Sequence, residues 1–386
     1  MIYLDNAATS WPKPTRVLDE MTRFLAEDAG NPGRGGHRLA VAAERVVRDV
    51  RARLATLFHA DLPDRIIHCS SCTDALNMAF KGLLGPGHHV ITTALEHNSV
   101  SRPLQALADA GVITLTRIAS AGDGRIDPDD VRRAIAPATK LIAATHASNV
   151  TGLIQPIAEI GRIAREHDII FLVDAAQTAG LVDIDVLAMN IDLLAFPGHK
   201  SLLGPAGTGG LYVATRVNLH PWREGGTGGD SGSPIQPTEF PHCLEAGTHN
   251  TVGLAGLNAA LSGLTPAAAL AHEQSLVAGL VAELGDDSRF TIFGKAPATA
   301  RIGLLSIGVS GLASEDVAAI LDQSFSIAVR AGLHCAPYTH RALGTFPDGA
   351  VRISPGWKNT VDDITTLAAA LREIAEHALS LPEKPE

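Results

Sequence analysis

Residues 191–212, IDLLAFPGHKSLLGPAGTGGLY, decide the fold. The apolar run at 191–196 is typical of a buried strand, and Pro197-Gly198 ends that strand. Lys200 follows at once, with a glycine-rich return and no carboxylate in the next five residues. Desolvation favours the neutral amine of a lysine, which can attack carbonyl groups. The stretch therefore indicates a reactive lysine; the alternative is a plain loop lysine between turn residues.

Apolar strand-like runs alternate with helical segments on both sides of this stretch, from about residue 66 to residue 213. This alternation predicts an α/β fold with a large, mostly parallel sheet that is covered on both faces. Ligands of such sheets bind beyond the carboxyl ends of the strands. Polar side chains stand at five predicted strand exits, and we expect them to converge on one site: Thr73, His97, Asn149, Asp174 and Lys200.

The spacing of apolar residues predicts two helical segments. One helix is expected at 75–84, and one long alanine-rich helical region is expected from about 252 to 284. Residues 95–99 are assigned only to the exit of a strand. The glycine-rich, polar residues 223–237 are expected to form a mobile or partner-contacting loop.

Composition limits the class of protein. The 386 residues are 46% hydrophobic and 19% charged, which permits a large core and argues against disorder. The net charge of −10, without a basic run, argues against nucleic acid as the main partner. No apolar run is long enough to span a bilayer, and the N-terminus does not read as a signal peptide. Four cysteines are too few for a disulfide scaffold in a chain of this length, so we expect a cytoplasmic protein. Cys69 and Cys72 are not followed by a second pair of metal ligands at zinc spacing, so we expect no metal.

Eight short motifs, taken in order, resemble those of the cysteine desulfurases of the class V aminotransferase superfamily. They are LDNAAT (4–9), EHNS (96–99), SNVTG (148–152), VDAAQ (173–177), GHK (198–200), EAGT (245–248), RAGLHCA (330–336) and VRISPGWKNT (351–360). The resemblance covers residues 3 to about 363. It implies the fold of aspartate aminotransferase, with a seven-stranded type of sheet, and pyridoxal 5'-phosphate as cofactor. The domains implied are an N-terminal segment that packs with the small domain (1–14), a large cofactor-binding domain (15–250) and a small α+β domain (251–386).

The resemblance also implies roles for particular residues. Lys200 is then the lysine that forms a Schiff base with the cofactor, Asp174 is the partner of the ring nitrogen, and Cys335 is the sulfur nucleophile. His97 stacks on the ring and shuttles protons, and Arg352 grips the substrate carboxylate. The other residues expected at the cofactor are Gln177, Thr73, Cys72, His199, Asn149 and Thr248. The other residues expected at the substrate are Asn149, Ala8 and Arg34.

Plainer interpretations of the same residues stay open at this point. They are a helix cap at Asp174, a loop histidine at His97, a surface arginine at Arg352 and a buried apolar cysteine at Cys335.

Two residues depart from the pattern that the family commonly has at the phosphate. Ser71 stands where glycine is common, and Pro197 stands where serine or threonine is common. Proline has neither a hydroxyl nor an amide proton, so we expect one phosphate contact to be lost or replaced. In the family, a pair like Gly247-Thr248 reaches the phosphate of the neighbouring subunit, which implies a homodimer with shared active sites.

The implied reaction converts L-cysteine to L-alanine and leaves a persulfide on Cys335, which passes to an acceptor protein or thiol. The short segment between His334 and Arg352 is similar to the branch of the family whose members also act on selenocysteine. Alternatives within the superfamily are a selenocysteine lyase, a C–S lyase and an aminotransferase. A non-enzymatic scaffold or sulfur carrier is disfavoured because Lys200 and Asp174 are both present.

Overall fold

The computed structural model describes residues 1–33, 35–121, 124–228, 232–294 and 296–379. Arg34 and part of the 223–237 loop therefore lie outside the described residues. The strands are β1 (Ile2–Tyr3), β2 (Ile66–Cys69), β3 (His88–Thr93), β4 (Ile113–Ile118), β5 (Thr139–Thr145), β6 (Ile170–Asp174), β7 (Leu193–Pro197), β8 (Gly209–Val213), β9 (Phe290–Phe293), β10 (Leu305–Val309), β11 (Ile327–Ala328) and β12 (Val351–Ile353). The helices are α1 (Thr15–Glu27), α2 (Arg38–Leu57), α3 (Cys72–Leu83), α4 (Asn98–Asp109), α5 (Pro128–Arg133), α6 (Ile157–Glu166), α7 (Thr251–Leu261), α8 (Pro266–Leu284), α9 (Ser314–Phe325), α10 (Pro337–Leu343) and α11 (Val361–Leu379).

Within the described residues, seven strands form one large sheet in the order β2-β8-β7-β6-β5-β3-β4. β8 runs antiparallel to both of its neighbours, and the other strands run parallel to one another. β6 and β7 are buried along their whole length, as expected for central strands against which helices such as α3 and α6 pack. The predicted α/β fold with a mostly parallel sheet is confirmed.

A glycine allows α6 to approach this sheet closely. A Cβ atom at Gly161 would stand 2.0 Å from the carbonyl oxygen of Met189 and 3.3 Å from the ring of Phe171. Phe171 belongs to β6, and Met189 lies in the segment that leads into β7. The missing side chain therefore sets the position of the two strands that lead to Asp174 and Lys200.

A second hydrophobic core lies around the antiparallel sheet β12-β10-β9 and helices α8, α9 and α11. Ile2 of β1 pairs with Ile327 of β11, so the first residues of the chain are held beside this core. Leu257 of α7 belongs to the large core, whereas Leu276 of α8 belongs to the second one. The expected domain limits at residues 14 and 250 stay a prediction.

The helical region expected from about 252 to 284 consists of two helices. α7 and α8 meet at 80° around residues 262–265, and Pro266 begins α8, where its missing amide proton costs no helical hydrogen bond. None of the described helices is by itself long and apolar enough to cross a membrane. The bent pair of α7 and α8 meets that condition, by length and composition only.

Two further helices differ from the sequence-based expectation. α3 begins at Cys72 rather than at residue 75, because Ser71 Oγ accepts a hydrogen bond from the Asp74 amide (3.1 Å) and caps the helix. α4 was not expected. It begins after His97, whose Nδ1 accepts from the Ser99 amide (3.0 Å), a cap that histidine rarely signals in a sequence.

Gly161→Ala is expected to lower the urea midpoint of unfolding, although alanine usually favours a helix by about 1 kcal/mol over glycine. The new methyl group would overlap the Met189 carbonyl, and such overpacking costs roughly 1–3 kcal/mol. Gly279→Ala is the matched control, because an added Cβ at this position of α8 meets no atom within 4 Å. The control should raise the midpoint. A rise in both variants would contradict the close approach of α6.

Candidate active site

The carboxyl ends of the parallel strands surround a cavity of about 180 Å³. β6 ends at Asp174, β7 ends just before Lys200, and the N-terminus of α3 follows β2. Parallel strands present their carboxyl ends at one edge of a sheet, so residues far apart in the sequence meet there. The expected site residues that line the cavity are Cys72, Thr73, His97, Asn149, Asp174, Gln177, His199 and Lys200.

The turn that carries Lys200 is held by the N-terminal segment. The His199 carbonyl accepts hydrogen bonds from the Ser10 amide (3.1 Å) and from Lys13 Nζ (2.6 Å). Ser10 Oγ donates to the Lys200 carbonyl (3.0 Å), and the Leu203 amide donates to the same oxygen (2.8 Å). These bonds fix the backbone at the lysine, and its side chain lines the cavity.

Burial is the main electrostatic influence on Lys200 and Asp174. Desolvation, assisted by the Arg352 cation, lowers the pKa of Lys200, while the Asp174 carboxylate acts in the opposite direction. Burial also raises the pKa of Asp174, against the Ala176 amide, which donates to Oδ1 (2.8 Å). Cys72 Sγ lies 3.5 Å from the same oxygen. The cavity thus contains a lysine amine that is protonated less readily than usual. Close to it lies a carboxylate that can bind a cationic nitrogen of a ligand.

His97 is neutral at physiological pH. Burial, followed by the Lys200 and Arg330 cations, lowers its pKa to about 4. Its Nδ1 accepts from the Ser99 amide, so Nε2 carries the ring proton. Ser99 Oγ lies 2.7 Å from Thr73 Oγ1, and this pair of hydroxyls lines the same cavity. The alternative of a solvent-facing loop histidine is wrong for His97, which caps α4 and is half-buried.

One end of the cavity suits an anion. The N-terminus of α3, with the first-turn residues Cys72 and Thr73, opens on it, and helix N-termini attract phosphate groups. Ser71 Oγ accepts from the Asp74 amide and keeps its own proton for donation. Pro197 lines the same cavity without any donor. Ser71 therefore offers a hydroxyl where Pro197 offers none.

Cys335 lies on a separate turn between β11 and α10. Its carbonyl accepts from the Asn98 amide (2.7 Å), and the preceding His334 carbonyl accepts from Asn149 Nδ2 (2.7 Å). Asn98 follows His97, and Asn149 lines the lysine cavity, so both bonds tie the turn to that cavity. Cys335 is half-exposed, whereas Cys69, Cys72 and Cys243 are buried. Arg330 Nη2 lies 3.9 Å from the Cys335 sulfur.

Arg352 is buried, so the alternative of a surface arginine is wrong. Its Nη2 pairs with Asp5 Oδ1 (2.7 Å), and its Nη1 donates to the Asn149 carbonyl (3.1 Å). A substrate carboxylate at this guanidinium would share it with Asp5 or displace that carboxylate. Next to Ala8, the Ala7 carbonyl accepts from Gln177 Nε2 (3.2 Å), which places Ala8 beside the cavity residue Gln177.

Thr248 is not among the residues at the lysine cavity. It lines a second cavity of about 220 Å³ together with Ser70, Arg223, Glu245 and His249. Glu245 is buried there and forms two hydrogen bonds with Arg51, at 3.0 and 2.9 Å.

Sequence reasoning missed residues that the structure places at the site. Thr145 lines the lysine cavity and lies outside the quoted motifs. Three others contact predicted site residues. They are Asp5 at Arg352, Ser99 between His97 and Thr73, and Arg330 at the Cys335 sulfur. Each lies inside one of the quoted motifs, so motif membership was the available signal. Their partners follow only from the folded chain.

Comparison with known proteins agrees with this geometry. The chain matches the model of the aminotransferase class-V family over residues 2–367. A probable cysteine desulfurase from Methanothermobacter thermautotrophicus is 35% identical over 390 residues, which cover 97% of this chain and 94% of the relative. A cysteine desulfurase from Yersinia pseudotuberculosis is 32% identical, with 97% and 93% covered.

Solved structures give the same result. The apo structure of a cysteine desulfurase from Thermococcus onnurineus matches with a TM-score of 0.91 at 33% identity, covering 97% of this chain and 95% of that one. The cysteine desulfurase CsdA from Escherichia coli matches with a TM-score of 0.87 at 28% identity, covering 98% and 94%. This chain belongs to the aminotransferase class-V family, in which it is similar along nearly its whole length to cysteine desulfurases.

Proposed function

We propose that the chain is a pyridoxal-phosphate-dependent cysteine desulfurase, which converts L-cysteine to L-alanine and keeps the sulfur as a persulfide on Cys335. The observation that carries this proposal is the half-exposed Cys335, on a turn hydrogen-bonded to Asn98 and Asn149 beside the Lys200 cavity. An aminotransferase needs a lysine but no thiol at this place. The relatives named cysteine desulfurase support the same assignment.

The donor set of the cavity fits pyridoxal phosphate. Lys200 would hold its aldehyde carbon, Asp174 its ring nitrogen, Gln177 its ring hydroxyl and His97 one face of the ring. The phosphate would lie at the N-terminus of α3. The groups proposed for it are the side chains of Thr73, His199 and Ser71 and the first-turn amide of Cys72.

When bound, pyridoxal phosphate supplies a sink for the electrons released at the substrate α-carbon. Burial lowers the pKa of the Lys200 amine, which makes this amine suited to remove the α-proton as a general base. His97 carries one proton on Nε2 and can lend it to a neighbouring oxygen. Asp174 would accept a hydrogen bond from the ring nitrogen of the bound cofactor and so favour its protonated form.

The sulfur-transfer step balances without an external oxidant. The Cys335 thiolate attacks the substrate sulfur, an S–S bond forms and the bond from sulfur to the β-carbon breaks. The electron pair of that bond stays on the substrate and is protonated, so L-cysteine and one thiol give L-alanine and one persulfide. The Arg330 guanidinium lies 3.9 Å from the Cys335 sulfur.

Arg352, with Asn149 and the backbone near Ala8, is proposed to hold the substrate carboxylate in exchange for part of its pairing with Asp5. Arg34 stays a further candidate for the same role. L-selenocysteine differs from L-cysteine at one atom and is a second proposed substrate. The persulfide is proposed to pass to an acceptor protein or thiol, since Cys335 keeps exposed surface.

Cys335→Ala is expected to lower the rate of alanine formation from L-cysteine by at least about a hundredfold, because the sulfur has no nucleophile. The variant should form no protein-bound persulfide and should keep the visible absorbance of the bound cofactor. Cys243→Ala is the matched control, since that cysteine is buried and lies outside the lysine cavity. Unchanged alanine formation in Cys335→Ala would refute Cys335 as the sulfur nucleophile. Pyruvate and sulfide in place of alanine from the wild type would favour a C–S lyase.

Lys200→Arg is expected to lose covalent retention of the cofactor, because an arginine offers no nucleophilic amine at neutral pH. The measurement is borohydride reduction followed by mass spectrometry of the peptide that contains residue 200. Wild type should carry the cofactor on that peptide, and the variant should not. Lys13→Arg is the control, since Lys13 donates to the His199 carbonyl and can be replaced there by another cationic donor. Cofactor fixed on another lysine would contradict the proposed role of Lys200.

A homodimer with shared sites is proposed because Thr248 lines a cavity other than that of its own Lys200. Lys200→Ala and Thr248→Arg should each be inactive alone and should regain activity when co-expressed. Random pairing makes half of the dimers mixed, and each mixed dimer has one intact site, so about a quarter of wild-type activity is expected. No recovery on co-expression would place Thr248 in the site of its own subunit, or in none.

A further inference from the structure

The turn that presents Cys335 has a backbone that needs support. His334 and Cys335 are consecutive residues with positive φ, 49° and 57°. Residues other than glycine adopt this left-handed conformation rarely, and a neighbouring pair is held only when the surroundings fix it. The two carbonyl contacts to Asn98 and Asn149 hold one side of the turn. The opposite side is held by the His334 ring.

Three hydrogen bonds pass through that ring and link the Arg330 carbonyl to Thr345, just beyond the end of α10. His334 Nε2 lies 3.2 Å from the Arg330 carbonyl oxygen, and His334 Nδ1 lies 3.3 Å from His340 Nε2. His340 Nδ1 lies 2.8 Å from Thr345 Oγ1. His340 is fully buried and His334 is 3% exposed, so water has little access to the two rings, whereas Thr345 is half-buried.

The direction of every bond follows from one acceptor. A carbonyl oxygen only accepts, so His334 Nε2 carries the proton that goes to Arg330. The His334 ring is neutral because burial, followed by the Arg352 cation, lowers its pKa to about 3, and its Nδ1 is then an acceptor. His340 Nε2 must therefore donate. Burial lowers the pKa of His340 to about 4, so its Nδ1 accepts in turn and the Thr345 hydroxyl is the donor.

Thr345 is brought to this place by the end of α10. Gly344 has φ 72° and turns the chain back, and the Thr345 amide donates to the His340 carbonyl (2.9 Å). The Arg330 carbonyl at the other end also accepts from the Arg352 amide (2.7 Å). The hydrogen-bonded chain thus runs from the Thr345 hydroxyl to the Arg330 carbonyl. The Arg330 guanidinium is the group that lies 3.9 Å from the Cys335 sulfur.

We propose that Thr345 and His340 are positioning residues for the sulfur-transfer step, which act through the His334 ring to hold the Cys335 thiol beside Arg330. Neither residue lines the lysine cavity. Their loss should slow the attack of the thiol on the substrate sulfur and leave the chemistry at Lys200 intact. This inference rests on the proposed function, because it assigns the turn to that reaction.

The test compares Thr345→Val, which removes the hydroxyl at nearly constant shape, with Thr345→Ser, which keeps it. Thr345→Ala is a second deletion of the hydroxyl, so the result does not depend on one variant folding. Thr365→Val is the matched control, because Thr365 is exposed on α11 and its hydroxyl bonds only within that helix. All variants are prepared as the cofactor-loaded enzyme.

Three rates are measured on each variant. They are the single-turnover rate of alanine formation from L-cysteine, the rate of Cys335 alkylation by iodoacetamide without substrate, and the exchange of the α-proton of L-alanine in deuterated solvent. The exchange uses Lys200 and the cofactor but no thiol.

Thr345→Val and Thr345→Ala should lower alanine formation and alkylation about three- to tenfold, the range expected for one hydrogen bond. α-Proton exchange and the KM for L-cysteine should match wild type, and Thr345→Ser should restore both lowered rates. Unchanged alkylation and alanine formation in the deletion variants would overturn the proposal. An equal loss of α-proton exchange would also overturn it, because the role would then be general to the fold. If wild type itself forms no alanine, the proposed function fails, while alkylation still tests the turn.

Discussion

Burial of one lysine amine at the carboxyl edge of a parallel sheet is the constraint on which the rest of the site depends. A lysine gives up its charge only where solvation is poor, and the central strands that precede Lys200 are fully buried. The same burial raises the pKa of Asp174, so each group depends on the other or on a ligand for compensation. Arg352 adds a cation that disfavours the charged amine. The electrostatics of the cavity therefore favour a covalent or ionic ligand between Lys200 and Asp174.

The first thirteen residues connect this edge to the second core. Ile2 pairs with Ile327, and Asp5 forms the ion pair with Arg352. A few residues later, Ser10 and Lys13 hold the carbonyls at the lysine turn. Separating this ion pair would leave the buried Arg352 cation without its carboxylate partner. The N-terminal segment therefore connects the sheet edge that carries Lys200 to the elements that carry Arg352, and it fixes the distance between them.

Much of the fold and of the lysine cavity could be predicted from the sequence, because strand periodicity and the rule for parallel sheets are local. The placement of Asp174 and Lys200 at one edge needed only the order of strands and helices. The break between α7 and α8 was missed because alanine-rich sequence continues through it, although Pro266 was visible. The cap of α4 by His97 and the pairing of Asp5 with Arg352 could not be predicted. The cap was missed because histidine is not among the usual N-cap residues, and the ion pair joins residues 347 positions apart in the chain.

The separation of the lysine from the thiol has a physical reason. A nucleophilic amine needs a dry, rigid cavity, whereas a sulfur atom that is transferred to an acceptor must be accessible from solvent. One strand end cannot meet both demands, and the structure divides them between the end of β7 and the turn after β11. The carbonyls of His334 and Cys335 are held by Asn149 and Asn98, and these bonds fix the position of the half-exposed sulfur relative to the buried amine. A left-handed turn serves this purpose because it directs two consecutive carbonyls toward the cavity wall, which a regular helix or strand at this position would not do.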